Sequence, residues 1–298
     1  MNRHHTLTRI FVVLTAVILC FAAGIAQAPR GSLFIIGGGD RTADLMRDFV
    51  RMAGGPDRAR IVIIPNASGD PDTACIEMAD EFHVLGVRRV ECLRLSREQA
   101  LDPKSADRLD GATAVYFTGG DQVRVTRALL GTPVQRKLKE IYFAGAVLGG
   151  TSAGAAIMSE VMITGDERRN KDTVRNFHFI KKDNVETVEG MGFITSAIID
   201  QHFVARKRHN RLISVVLEHP GLVGVGIDES TAIIVRNGST FDVAGHGNVI
   251  VYDAAHATGI RADSTGTLAG ANLTMHVLSA GDSYNLATRT VKPRGGDR

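Results

Sequence analysis

Short apolar runs alternate with amphipathic segments through the first half of this 298-residue chain. Five runs predict strands: SLFIIGGG, RIVIIPNAS, RRVECLRL, GATAVYFTGG and AVLGG. The segments between them, such as DRTADLMRDFVRMAGG, have apolar residues at helical spacing and close on glycine. Strands that are apolar throughout and alternate with helices indicate a parallel sheet covered on both faces. The pattern therefore predicts an α/β fold, doubly wound around a mostly parallel sheet, with ligands at the carboxyl ends of its strands.

The pattern changes in the second half of the chain. SAGAAIMSEVM predicts a helix directly after the fifth strand, and the polar residues 165–188 predict either a solvated excursion or a flap over a site. GFITSAIID and GVGID predict two further strands around the helical segment QHFVARKRHNRLISVVLEHPG. From Ser230 onwards, short runs around Asn237 and Gly238 predict a β-rich C-terminal extension. No repeat or linker divides residues 29–298, so we expect one domain there.

The first 28 residues have the layout of a secretory signal peptide. A short basic segment precedes the apolar run IFVVLTAVILCFAAGIA, and the small-x-small sequence AQA ends at Ala28. The alternative is an uncleaved membrane anchor, but the run is at the short end for a span. We therefore expect a secreted or periplasmic protein with no stable membrane association after processing.

Charge and cysteine content indicate which partners, and which state of the cysteines, to expect. Loss of residues 1–28 removes Arg3 and Arg9, which leaves 33 basic and 32 acidic residues. Such a balance gives no reason to expect nucleic acid or a membrane surface as partner. Cys75 and Cys92 would then remain, and they either pair in an oxidising compartment or stay as free thiols. No group of residues has metal-ligand spacing, so neither a metal nor another cofactor is expected.

Ser152 lies in the sequence GTSAG, which matches the pattern G-x-S-x-G. A strand that turns sharply into a helix exposes the serine at the corner, and its neighbours must be small. The Ala153 amide, just inside the helix, would point at a developing oxyanion. The alternative is tight packing of a helix on a sheet. The strand before and the predicted helix after Ser152 favour a nucleophile.

A nucleophilic serine needs a base, and His202 is the best candidate because it follows a predicted core strand. The alternative is a structural histidine. Gly120 ends another strand in a glycine turn and could offer a second amide to the oxyanion, with Gln122 in the same cleft. That turn could equally be a plain helix start capped by Asp121. The GGGD sequence at residues 37–40 lacks a full dinucleotide fingerprint, so we reject nucleotide binding.

Three arginines, Arg206, Arg208 and Arg211, follow His202 closely. Arg208 and Arg211 would share a helix face, and arginine clusters bind carboxylates. With Asp200 beside them, the cleft would carry both signs and could bind a zwitterionic ligand: carboxylates on the arginines, a cation on Asp200. The alternative is an ordinary basic helix surface.

These blocks resemble a known family. LFIIGGGD, IVIIPNAS, FTGGDQ, GGTSAGAAIM, IIDQHFVARKRHNRL and GVGIDESTAI occur in the order and spacing of cyanophycinase, between about Ser32 and Tyr252. Cyanophycinases are serine peptidases related to aspartyl dipeptidase, with a class I glutamine amidotransferase-like fold. The resemblance implies hydrolysis of cyanophycin, a polyaspartate with arginine on each β-carboxyl, to β-aspartyl-arginine dipeptides. It also implies a homodimer.

The resemblance also implies roles for individual residues. Ser152 resembles the nucleophile and His202 the base; the implied substrate pocket comprises Gln122, Asp200, Gln201, Arg206, Arg208 and Arg211. The family places an acid shortly after the serine helix, where this chain has Asp166 and Glu167, and we favour Glu167.

Two other functions fit the same sequence. One is a secreted peptidase for other aspartyl or isoaspartyl peptides, and the other is a secreted binding module without activity. A glutamine amidotransferase is disfavoured because its nucleophile would be cysteine, whereas position 152 is serine.

Overall fold

The computed structural model describes residues 28–169 and 177–295. The signal peptide expected at residues 1–28 therefore lies, apart from Ala28, outside the described residues. The helices are α1 Ala43–Met52, α2 Pro71–Val84, α3 Arg97–Leu101, α4 Pro103–Asp107, α5 Gln122–Leu129, α6 Pro133–Ala144, α7 Ala153–Ala156 and α8 His209–Glu218. None of the helices within these described ranges is long and apolar enough to cross a membrane.

The strands follow the same chain order. They are β1 Ser32–Ile36, β2 Arg60–Ile64, β3 Arg89–Cys92, β4 Ala114–Phe117, β5 Val147–Thr151, β6 Val161–Glu167, β7 Val185–Glu189, β8 Ala197–Gln201, β9 Val223–Ile227, β10 Thr231–Arg236, β11 Thr240–Gly245, β12 Val249–Asp253, β13 Thr258–Ala262, β14 Leu268–Ala271, β15 Thr274–Leu278, β16 Ser283–Asn285 and β17 Thr290–Lys292.

Nine strands of the described chain form the main sheet, in the order β17-β16-β11-β10-β1-β5-β4-β2-β3. The five strands from β1 to β3 in this order pair in parallel. The strands β10, β11, β16 and β17 continue the sheet antiparallel from the other edge of β1. The predicted α/β fold with a parallel central part and C-terminal strands is therefore confirmed, while its finer assignment to the amidotransferase-like class stays a prediction.

Both faces of β1 are buried, which explains its continuous apolar sequence. Phe34 and Ile36 pack with the buried faces of α1 and α2. Leu33 and Ile35 point to the other face, in the core that includes residues of α5, α6 and α7. Alternate residues thus enter different cores, as the two-residue period of a strand requires.

Local capping fixes where several helices begin. Thr42 accepts a hydrogen bond from the Leu45 amide at the start of α1. Asp70 caps α2 and Thr132 caps α6, and proline occupies the first turn of both helices. Proline fits there because the first amides of a helix have no partner within the helix.

The second sheet has the strand order β15-β12-β9-β8. Ends of its strands meet ends of strands in the main sheet. β8 and β9 are parallel, and α8 packs on them through Leu212, Val215 and Val216. Just past β8, the His202 amide donates a hydrogen bond of 2.6 Å to the Gly37 carbonyl, just past β1. The carboxyl ends of strands from two sheets therefore meet at one place.

The helix predicted from Ser152 onwards is much shorter than expected. α7 ends at Ala156, and β6 begins at Val161. The Met191 amide donates to the Ile157 carbonyl and the Glu160 amide donates to the Ile194 carbonyl, so a returning segment replaces the helical bonds. β6 pairs antiparallel with β7, and these two strands include the beginning and the end of the predicted flap.

Cys75 and Cys92 form a disulfide that joins α2 to the edge strand β3. Their Cα atoms are 6.2 Å apart, which lies within the range that a disulfide spans. Of the two alternatives for these cysteines, pairing is therefore the one observed.

Candidate active site

Ser152 occupies the corner between β5 and α7. Its backbone is left-handed, with φ 54° and ψ −109°, a conformation that costs a serine about 1–3 kcal/mol. The Ser152 amide donates to the Ile36 carbonyl at 3.1 Å. A Cβ on Gly150 would lie 2.3 Å from the Gly154 carbonyl oxygen, and one on Gly154 would lie 2.4 Å from that of Phe117. Small residues are thus required for packing, and the half-buried serine still reaches the pocket.

His202 lies against Ser152. Its Nε2 atom is 2.9 Å from the Ser152 Oγ. The imidazole ring fits because Gly38 has no side chain: a Cβ there would lie 2.3 Å from the ring Cε1. The glycine run after β1, which does not match a nucleotide fingerprint, therefore makes room for the histidine.

Glu229 completes a chain of hydrogen bonds. Its Oε1 atom is 2.6 Å from His202 Nδ1. A proton on Nδ1 donates to this carboxylate, and Nε2 is then left to accept the Ser152 hydroxyl proton. Gly39 is again needed, because a Cβ there would lie 2.7 Å from the Glu229 Cβ. The structure thus brings Ser152, His202 and Glu229 together at the strand ends.

The prediction that Glu167 or Asp166 is the acid that orients His202 is wrong. Glu167 is buried at the end of β6, where it accepts a hydrogen bond of 3.2 Å from Asn184 Nδ2. Asp166 is exposed on the pocket wall. Both nitrogens of His202 already have partners, so neither acid is needed to orient the ring.

A signal for Glu229 was present in the sequence. The run GVGIDE places two acids directly after a buried strand, just as DQH places His202 after β8. Strand ends converge in such sheets, so the end of this strand, like the end of β8, is a place where a catalytic side chain is expected. Asp228 has a supporting role, since it accepts hydrogen bonds from the Val204 and Ala205 amides just after His202.

The predicted oxyanion donors, Gly120 and Ala153, both line the nucleophile. Gly120 has φ 135°, and a Cβ there would lie 2.1 Å from the Ala67 carbonyl oxygen. A Cβ on the preceding Gly119 would lie 3.4 Å from the Ser152 Cβ, so this loop is adjacent to the serine. Within the described part of the chain, neither the Gly120 amide nor the Ala153 amide donates a hydrogen bond. The lack of a partner for each of these two amides is what an oxyanion donor requires.

The surroundings of His202 favour its neutral form. Burial lowers the pKa of the imidazole below its usual value, and the positive charges of Arg206 and Arg208 lower it further. The hydrogen bond to Glu229 acts in the opposite direction and raises the pKa. Because the net shift is downward, the imidazole is able to accept a proton at neutral pH.

Ser152 opens into a pocket of about 690 Å³. Charged side chains of both signs line it: Asp121, Arg127, Asp166, Glu186, Arg206, Arg208 and Arg211. Of the predicted substrate residues, all except Asp200 contribute to this wall. Sequence reasoning missed Arg127 and Glu186, which belong to none of the family blocks.

Asp200 does not face the pocket, contrary to the prediction that it binds a substrate cation. It is 1% exposed, and its Oδ2 atom accepts a hydrogen bond of 2.7 Å from Arg211 Nε. Its Oδ1 atom accepts from the Gln201 amide at 2.7 Å and from a second Arg211 nitrogen. A buried carboxylate satisfied in this way balances the charge of Arg211 and leaves no site for a ligand.

The arginines differ in how far their charges are available. Arg208 donates to the carbonyl and side-chain oxygens of Gln201, at 2.6 and 2.8 Å, and burial lowers its pKa to about 10. Arg206 is exposed in the pocket, and no described residue forms a hydrogen bond or ion pair with its guanidinium group. Both precede α8, because Lys207 has φ 52°, which a helix does not accommodate.

Gln122 has mainly a structural role in this geometry. Its Nε2 atom donates to the carbonyls of Ile163 and Thr164, at 2.8 and 2.6 Å. These bonds fasten the start of α5 to β6. Among the described residues, no group of three or more histidine, cysteine or acidic side chains is arranged to hold a metal ion.

Known proteins are similar to this chain in sequence and in fold. Residues 33–243 match the family model described as peptidase family S51. A cyanophycinase from Synechococcus elongatus is 35% identical over 274 residues, covering 88% of this chain and 81% of that protein. A cyanophycinase from Trichormus variabilis is 34% identical over 278 residues, covering 90% and 89% respectively.

Solved structures support the fold. A peptidase from an acI-B1 actinobacterium superposes with a TM-score of 0.62 at 22% identity, covering 87% of this chain and 98% of that one. A putative peptidase E from Listeria monocytogenes gives a TM-score of 0.52 at 16% identity, covering 73% and 99%. The chain therefore belongs to peptidase family S51 and is a serine-type peptidase.

Proposed function

We propose that this peptidase hydrolyses cyanophycin and releases β-aspartyl-arginine dipeptides. The observation that carries the proposal is the hydrogen-bonded chain of Ser152, His202 and Glu229 at the edge of a pocket that carries both signs of charge. The relatives described as cyanophycinases align over most of this chain, which supports the same substrate.

The charges of the pocket suit this polymer. Each aspartate of cyanophycin carries an arginine branch, which displays a carboxylate and a guanidinium group. Arg127 and Arg206 present guanidinium groups that no described residue hydrogen-bonds or ion-pairs, and Asp121, Asp166 and Glu186 present carboxylates on the same pocket wall. Charge-assisted hydrogen bonds to both groups would select such a branch.

The proposed mechanism uses the side chains in their observed contacts. Ser152 Oγ attacks the scissile aspartyl carbonyl while His202 Nε2 takes the hydroxyl proton. Glu229 stabilises the imidazolium through Nδ1–H, and the Gly120 and Ala153 amides stabilise the oxyanion. The tetrahedral intermediate collapses as His202 protonates the leaving amine. Water, deprotonated by His202, then hydrolyses the acyl-enzyme and restores Ser152.

We also propose that the mature enzyme is secreted or periplasmic. The support is the N-terminal pattern of residues 1–28 together with the Cys75–Cys92 disulfide, since disulfides persist in oxidising compartments.

The substrate is tested by incubating the purified protein with cyanophycin, aspartyl peptides and isoaspartyl peptides, and identifying the products by mass. We expect β-aspartyl-arginine from cyanophycin, and Ser152→Ala should lower kcat by roughly 10⁶-fold. Cleavage of isoaspartyl peptides alone would favour the broader peptidase. Wild-type turnover by the Ser152→Ala variant would contradict the mechanism.

Glu229→Gln tests which acid orients His202. An amide cannot accept and stabilise the Nδ1 proton in the same way, so kcat should fall by roughly 10⁴-fold. Glu167→Gln is the matched control, because it changes a buried glutamate that does not contact His202, and its kcat should stay near wild type. Equal losses in both variants would show that the assignment of Glu229 is incorrect.

The pH dependence of kcat/KM tests the state of His202. Because its pKa is lowered, the acidic limb of kcat/KM, where the imidazole becomes protonated, should have its midpoint below pH 6.5. Arg206→Gln removes a cation that lowers this pKa, so the acidic limb should move to higher pH. Glu229→Gln removes a partner that raises it, so the limb should move to lower pH. Shifts in the opposite directions would refute this electrostatic account.

A further inference from the structure

Arg127 lines the pocket but is not part of the hydrogen-bonded series of Ser152, His202 and Glu229. It lies on α5 and lines the same pocket as Ser152, yet it belongs to none of the sequence blocks shared with cyanophycinases. Its side chain is exposed, and no described residue forms a hydrogen bond or ion pair with the guanidinium group. A cation in this position is available for an anionic group of the substrate.

Glu186 supplies the opposite charge from the facing hairpin. It lies on β7, half-buried, and its Oε2 atom accepts a hydrogen bond of 3.1 Å from Thr164 Oγ1. Its Oε1 atom has no partner among the described residues. The position of Thr164 is itself fixed, because Gln122 at the start of α5 donates to its carbonyl. The Glu186 carboxylate is therefore held in place with one oxygen open to the pocket.

Val188 extends the same wall with an apolar surface. It lies two residues after Glu186 on β7, so both side chains project from the same face of the strand, about 7 Å apart. Val188 is 37% exposed and lines the pocket. A carboxylate and an apolar contact at this spacing fit a guanidinium group and the methylenes that precede it.

We propose that Arg127, Val188 and Glu186 form the subsite for the arginine branch of the substrate. Arg127 binds the α-carboxylate of the branch, Val188 contacts its three methylenes, and Glu186 binds its guanidinium group. This inference rests on the proposed function, because it assigns a place to the branch that cyanophycin carries.

Two other acids, Asp200 and Asp121, are less suited to the guanidinium group. Asp200 is buried with both carboxylate oxygens occupied. Asp121 accepts a hydrogen bond from the Val123 amide at the start of α5, and it lies 3.8 Å from Arg124. Glu186 combines a fixed position with an open oxygen, which makes it the stronger candidate.

The test compares short β-aspartyl-arginine oligomers with two analogues. In one analogue citrulline, a neutral isostere, replaces arginine; in the other a carboxamide replaces the branch carboxylate. We expect wild type to prefer the parent over each analogue by about 10- to 100-fold in kcat/KM. Glu186→Gln should abolish the preference over citrulline, and Arg127→Gln should abolish the preference over the carboxamide.

Two controls match these variants. Arg124→Gln changes an arginine on α5 that does not line this pocket, and Glu189→Gln changes an exposed glutamate on β7. Both should retain the wild-type preferences. Labelling of Ser152 by a small serine-directed phosphonate should proceed at the wild-type rate in all four variants.

The outcomes separate this inference from the proposed function. If wild type does not cleave the parent oligomers, the proposed function fails and the subsite fails with it. If wild type cleaves them but Glu186→Gln and Arg127→Gln keep its preferences, the subsite alone is refuted. Loss of phosphonate labelling in either variant would also refute the subsite, because it would show that the replaced residue is needed for the reactivity of Ser152 or for the fold.

Discussion

The active site depends on the close approach of the loop after β1 to the residues that follow β8 and β9. The His202 amide donates to the Gly37 carbonyl, and the imidazole ring lies where a side chain on Gly38 would be. The same loop leaves room for Glu229 beside Gly39. This contact joins two sheets at their strand ends, and it places the histidine within 2.9 Å of the Ser152 hydroxyl.

Backbone strain accumulates around this contact. Ser152 and His202 both have left-handed backbone conformations, with φ 54° and 47°. Strain of this kind persists only where the surrounding structure enforces it, and it is often found at functional sites. Here the buried strands β1, β5 and β8 supply that enforcement, so folding energy from the core is used to position the catalytic groups.

The sequence predicted much of this arrangement for a physical reason. Buried parallel strands read as apolar runs, and residues at their carboxyl ends must meet, which identified Ser152, His202 and Gly120. The same reasoning did not fix the acid. Glu229 follows its strand just as His202 does, but the family resemblance directed attention to Glu167, which is buried against Asn184.

Other features depend on contacts that no local pattern reveals. Asp200 lies in the same block as His202, yet its side chain points into a buried ion pair with Arg211. Two-residue alternation along β8 fixes that direction, but only the packing of α8 determines the partner. The short α7 has a similar origin, since the returning segment at residues 190–194 pairs with the chain where the helix was expected to continue.

The space at Gly38 holds His202 in its working position. The measurement is the rate of cyanophycin hydrolysis by Gly38→Ala. Gly145→Ala is the control, because Gly145 also has a positive φ, 126° against 112° at Gly38, and a Cβ at Gly145 meets nothing within 4 Å. Gly38→Ala should lose roughly 100-fold or more in rate, since an ångström of misplacement can cost that much, and the control should keep the wild-type rate. A Gly38→Ala enzyme with the wild-type rate would contradict this role of Gly38.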